Sequence, residues 1–110
     1  MDGGILKQSE LGMIVIEWLR FSVPIELREA FIQKDEEVWT TRLYGFSGFI
    51  GKEVWLDSST SDVVLVVHWS SFEAWHSIPK TEISRLRTMM GDLDLPVVES
   101  HAYQVRKFLH

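Results

Sequence analysis

A two-layer α+β fold, with four antiparallel strands and two helices in the order β-α-β-β-α-β, is what this 110-residue sequence predicts. Three observations carry the prediction. Four segments are rich in β-branched and aromatic residues, two segments between them repeat apolar residues at helical spacing, and a short polar cluster, DSSTSD at 57–62, separates the middle two strands. Elements in that order form the ferredoxin-like split βαβ arrangement, with both helices on one face of the sheet.

The first strand, residues 13–21, reads MIVIEWLRF. Its alternate sets Ile14/Ile16/Trp18 and Val15/Leu19/Phe21 are both apolar, which predicts burial on both faces. Pro24 suits a first helical turn. Leu27, Ala30, Phe31 and Val38 then recur at helical spacing opposite Glu26, Arg28, Glu29 and the acids at 35–37, so an amphipathic helix is expected over 24–39.

Gly45, Gly48 and Gly51 punctuate YGFSGFIGKEVWL and predict a turn into a bent strand starting near Phe49. A hairpin over 49–69 follows, ending in VVLVVHW. Ser70 and Glu73 have the S-x-x-E spacing of a capping box, which predicts a helix start at Ser70. Pro79 should break that helix, and Ile83, Leu86, Met89 and Met90 resume the period up to Gly91. A last strand is expected over 97–108, where Val97, Tyr103, Val105 and Phe108 stand among alternating polar residues.

Residues 13–110 thus form one expected domain, preceded by a flexible lead-in, MDGGILKQSELG, at 1–12. The lead-in has neither the basic start nor the apolar centre of a signal peptide. Eleven Lys and Arg against 16 Asp and Glu give a net charge of −5, with no basic run, so nucleic acid and anionic membrane are poor partners. Cysteine is absent, which removes disulfides and thiolate chemistry and suits a reducing, cytoplasmic setting. Two helices cover one face of a four-stranded sheet, yet strands one and three are apolar on both. The expected cover for the second face is another copy of the chain, making a homodimer.

The stretch GFSGFIGKEVW, the apolar strand ending in Trp69 and the helix start WSSFEAW together resemble the antibiotic-biosynthesis-monooxygenase type of dimeric α/β barrel, over residues 13–108. More narrowly, the chain is similar to a small uncharacterised group of cyanobacterial proteins of this type. The resemblance implies a homodimer with sheets packed face to face, and a ligand pocket between each sheet and its own helices. It also implies activities ranging from cofactor-free oxygenation of polycyclic aromatics to haem degradation to none known, so fold alone leaves the function open. The haem-degrading branch uses an Asn, a Trp and an axial His where this chain has Trp18, Ile78 and Thr88. Thr88 offers iron no nitrogen donor, so no haem, and no other cofactor, is expected.

Several side chains are candidates for a site. His68, His101 and Tyr103 are candidate catalytic groups, and Trp18, Trp69 and His76 candidate ligand-binding groups. Tyr103, His101 and Glu99 alternate on the last strand and share a face, where an imidazole beside a carboxylate could move protons. The plainer reading of that row is a solvated or dimer-rim edge. His68 and His76 lack the spacing of metal ligands, and a metal would need His101 or Glu17 to converge from other strands, so no metal is expected. Trp69 and Trp75 read first as core packing. By the resemblance, Trp18 stands where some family members keep a polar catalytic residue facing the pocket; it would narrow that pocket, stack on an aromatic ligand or simply fill the space.

Three functions follow from these residues: a cofactor-free monooxygenase-like enzyme acting on a small aromatic, a module that binds a small apolar or aromatic ligand without chemistry, or a purely structural dimer. A cavity between sheet and helices separates the first two from the third. A strongly perturbed titratable group inside it separates the first from the second.

Overall fold

The computed structural model describes residues 14–110. The expected lead-in at 1–12, and Met13 of the first strand, lie outside the described residues. Strands β1 (Val15–Phe21), β2 (Phe49–Leu56), β3 (Val63–Trp69) and β4 (Val97–Gln104) form one antiparallel sheet in the order β2-β3-β1-β4. The two most apolar strands therefore sit in the middle, where each has a partner on both sides. This is the expected ferredoxin-like α+β sheet.

After β1 a 3₁₀ turn, Ile25–Leu27, leads into α1 (Arg28–Asp35), a π turn (Glu36–Thr40) and α2 (Thr41–Leu43). The helical run thus ends at Leu43 rather than at residue 39. Thr41 returns both its amide and its hydroxyl to the Glu36 carbonyl, which stabilises the widened turn. Beyond β3, α3 (Phe72–His76) and α4 (Lys80–Met90) are separated at Pro79, as expected.

The start of α3 differs from expectation by one residue. Ser71 is the cap, its Oγ accepting from the Ala74 amide at 3.0 Å. Ser70 is instead held by the strand side of the junction, its amide donating to the Gly48 carbonyl at 2.8 Å. With Ser71 as cap, the third helical position is Ala74, so Glu73 has no capping-box role. Gly48 has φ +88°, and a β-carbon there would collide with Ala74 and Ser70, so only glycine permits this loop to lie against the helix start.

The last strand ends at Gln104 rather than at 108. Its register opposes Gln104 to Val15, the first residue of β1, and the ladder closes with the Val105 amide donating to the Ile14 carbonyl at 2.9 Å.

One face of the sheet packs against the helices. Val63 and Leu65 join Phe31, Val38, Leu86 and Met90 in one buried cluster. Val15, Val67 and Trp69 join Leu43 in a second. By strand alternation the opposite face presents Ile16, Trp18 and Arg20 from β1, Val64, Val66 and His68 from β3, Glu53 and Trp55 from β2, and Glu99, His101 and Tyr103 from β4. Val64 and Val66 are buried within the single chain, flanked by longer cross-strand neighbours, Arg20 and Trp55 for one and Trp18 and Glu53 for the other. β1, expected to be buried on both faces, is only half-buried beyond Val15. The apolar character of β3 is therefore satisfied without a second copy.

Candidate functional site

A cavity of about 730 Å³ lies between the sheet and the helices and borders both core clusters. Its wall is largely apolar, with Leu19, Phe21, Leu65 and Val67 from the sheet and the rings of Trp39 and Trp75 from the helical layer. Glu17, Lys52 and Asp35 interrupt that wall, and His76, an exposed residue, lines it as well. Lys80, Arg87 and Asp94 also line the cavity, and they border a second, shallower hollow along α4. Size and composition suit one small, mainly apolar ligand with a few polar anchors.

Glu17 enters from β1. The side chains of this strand that face the helices are Val15, Glu17, Leu19 and Phe21, and Glu17 is the one polar member. Its Oε1 accepts from the indole Nε1 of Trp69 at 3.2 Å. Burial pushes the Glu17 carboxyl above the ordinary glutamate range, while the Trp69 hydrogen bond and the charges of Lys52 and His76 oppose the rise. Desolvation penalises the carboxylate, and one neutral donor does not offset it.

Lys52 reaches the cavity because β2 is irregular. Phe49 opposes Trp69, but Gly51 opposes His68 and Lys52 opposes Val67, so one residue is inserted at the start of the strand. Such a bulge reverses the face on which every later side chain points. Without it Lys52 would lie on the outer face and Glu53 would point inward. The ammonium instead meets Asp35 Oδ2 at 2.5 Å and Thr40 Oγ1 at 2.9 Å. Both partners of the ion pair are nearly sealed, with side-chain exposures of 6% and 5%. Burial also raises the Asp35 carboxyl above its ordinary range, opposed by Lys52.

The π turn is what allows two helix residues to meet one ammonium. Asp35 and Thr40 are five positions apart, which in a continuous α-helix places side chains about 140° apart around the axis. The widened turn brings them to the same side. His76, at the end of α3, lines the cavity while remaining exposed, and its ring packs against Trp75 with centroids 4.8 Å apart.

Of the residues singled out from sequence, His76 lines the cavity and Trp69 supports it from the core, fully buried and bonded to Glu17. Trp18 does not reach the cavity: it has the parity of Ile16 and Arg20, opposite to Glu17, and lies on the outer face against His101 at 5.3 Å between ring centroids. His68, His101 and Tyr103 share that outer face. The expected row on β4 does form there, with His101 Nε2 2.7 Å from Glu99 Oε2 and the His101 and Tyr103 rings 5.7 Å apart. His68 pairs with Glu53 at 2.7 Å. His68 and His76 lie on opposite sides of the sheet, and among the described residues no group of three or more His, Asp or Glu side chains is arranged to hold a metal ion.

Glu17 had a sequence signal, a lone carboxylate on the core-facing parity of an apolar strand. Lys52 and Asp35 had none, because a bulge and a π turn decide where they point.

The fold is that of antibiotic-biosynthesis-monooxygenase proteins. The chain is similar, with a TM-score of 0.74, to the monooxygenase ActVA-Orf6 of Streptomyces coelicolor in complex with nanaomycin D, at 12% identity over 96% of this chain and 98% of that one. It is similar also to SnoaB, a cofactor-independent oxygenase from Streptomyces nogalater, with a TM-score of 0.60 at 16% identity, covering 87% and 96% of the two chains. A conserved protein from Methanosarcina mazei has the same fold, with a TM-score of 0.68 at 10% identity over 87% and 96%. Structures of this type thus include a cofactor-independent oxygenase and a conserved protein of unknown function. No family model and no curated protein matches the sequence.

Proposed function

We propose that this chain is a cofactor-independent oxygenase acting on a small aromatic substrate with an acidic hydroxyl, bound in the cavity between sheet and helices. The observation that carries the reading is Glu17: a carboxylate on the core-facing side of an apolar strand, in a largely apolar, aromatic-walled cavity, with its proton affinity raised by burial. A carboxylate whose proton affinity is raised by burial removes a phenolic proton more readily than an ordinary glutamate does. An electron-rich phenolate can then pass electrons to oxygen directly. For a phenol oxidised to a quinone the balance closes without another reductant. One oxygen atom becomes the new ring carbonyl, and the other leaves as water with the ring hydrogen and the hydroxyl hydrogen.

Glu17 is the proton acceptor in this reading, Trp69 holds it through the indole N–H, and Trp39 and Trp75 flank the ring system. The outer face of the sheet, where Trp55 is 45% and Tyr103 52% exposed, is the surface by which two copies pack into a homodimer. Light scattering is expected to give about twice the 12.8 kDa of one chain.

The test is oxygen uptake with 1-naphthol and anthrone, with product identified by mass. Wild-type protein should consume oxygen and release quinone, and Glu17→Gln should lose at least about a hundredfold in rate, the size of a general-base contribution. A wild-type protein that is stabilised by these compounds against heat but consumes no oxygen would make the cavity a binding site without chemistry.

A further inference from the structure

We infer that the cavity takes its ligand as an oxyanion, with the Lys52 ammonium as the binding group for that oxygen. The ligand class is therefore acidic phenols and enols rather than neutral aromatics. The inference rests on the cavity's being the substrate site.

An ammonium has three N–H donors. Asp35 and Thr40 accept from Lys52, and no third acceptor bonds it among the described residues, although Lys52 lines the cavity wall. A buried donor left unmade is costly, and a ligand oxygen supplies the missing acceptor. The two irregularities in this part of the fold converge on the same atom. The β2 bulge turns Lys52 inward, and the π turn brings Asp35 and Thr40 to it together, fixing its direction. Bulges and π turns are costly local departures that concentrate at functional sites. An ion pair serving only to tie β2 to the helix would need the bulge and one acceptor, but not the π turn that adds Thr40 as a second.

The charge balance fits an anionic ligand. Asp35 and Lys52 cancel, leaving Glu17 as the net charge of the interior. When a phenol binds, its O–H bond breaks heterolytically, the proton passes to the Glu17 carboxylate and the electron pair stays on the ligand oxygen beside Lys52. The cavity carries the same net charge before and after, so no charge is added to a low-dielectric interior. A ligand lacking the acidic hydroxyl leaves Lys52 short of an acceptor and Glu17 ionised in an apolar wall.

The probe is 4-nitrophenol, whose anion absorbs at a different wavelength from the neutral form, compared with nitrobenzene, which has no proton to lose. In wild-type protein at about pH 6, bound 4-nitrophenol should show the anion's spectrum, with an apparent pKa lowered by a unit or more. It should bind about tenfold or more tightly than nitrobenzene, as expected for a charge-assisted hydrogen bond. The double variant Lys52→Met with Asp35→Asn removes both charges of the buried pair and should abolish the spectral shift and the preference. Glu17→Gln should keep the shift, since Lys52 remains, while losing oxygen uptake, which separates this inference from the reading of Glu17 as the base. Equal affinity for the two probes in the wild type, or a shift that survives in the double variant, overturns the inference. Binding of neither probe overturns both the inference and the assignment of the cavity as an aromatic site.

Discussion

The two faces of the sheet carry the same kinds of titratable residue and treat them in opposite ways. On the outer face Glu53 pairs with His68 and Glu99 with His101, and both carboxyls are held below their ordinary range, first by side-chain hydrogen bonds from Trp55 and His101 respectively. Arg20 gathers Asp57 and Asp62 at the end of the same face. On the inner face Glu17 and Asp35 are held above the ordinary range, because burial outweighs the partners each has. A carboxylate that water can still reach takes a favourable partner at little desolvation cost, whereas one enclosed by apolar walls is destabilised in its charged form. The face with more histidines and a more conspicuous acid–base row is thus the ordinary one. The carboxyls with raised proton affinity are one glutamate and one aspartate among aliphatic and aromatic side chains.

The largest expected effect that tests this contrast comes from cutting the buried pair on one side. Lys52→Met leaves Asp35 enclosed without its cation and should cost about 3–5 kcal/mol in denaturant unfolding, the usual penalty for an orphaned buried charge. Adding Asp35→Asn should recover much of that loss, and a single variant as stable as wild type would show that water reaches the pair. Next in size, Trp55→Glu on the outer face should weaken self-association by about 2 kcal/mol or more, read as a shift toward monomer mass in light scattering on dilution. An unchanged mass profile would remove Trp55 from the proposed interface.

Glu17→Gln gives a smaller effect whose sign depends on pH. A carboxyl whose pKa is raised on folding favours the folded state below its unfolded pKa and loses that contribution as pH rises through the folded value. The replacing glutamine is neutral throughout, so the variant should melt above the wild type at about pH 8, and the advantage should vanish near about pH 4. The smallest effect is expected outside. Glu53→Gln removes an exposed partner of His68 and should change stability by no more than about 0.5 kcal/mol at neutral pH. The lowered pKa of Glu53 favours folding above its unfolded pKa, and that contribution fades as pH falls through the folded value, the opposite slope to Glu17. A Glu53 variant that behaved like the Glu17 variant would erase the distinction between the faces.

Much of the architecture was legible because it follows from local rules. VVLVVHW can only be a central strand, DSSTSD only a turn, and Pro79 divides the second helical segment where its missing amide requires. The site was legible in part. Glu17 is visible in MIVIEWLRF as a carboxylate sharing the parity of Val15 and Leu19, while the aromatic and imidazole groups around it, Trp18 and His68, draw more notice and lie on the wrong side of the sheet. The capping position missed by one residue for a tertiary reason, since the Gly48 carbonyl holds Ser70 in the strand junction and leaves Ser71 to start the helix.

By itself, then, the sequence determined the order and kind of the elements and which strands are central, since strand alternation, helical periodicity and turn chemistry act over a few neighbouring residues. Tertiary structure alone decided which polar groups share a cavity. The inward turn of Lys52 depends on where β2 bulges against β3, and its meeting with Asp35 and Thr40 depends on a helix that widens for one turn above it. Those are consequences of register and packing between segments far apart in the chain, and no local pattern encodes them.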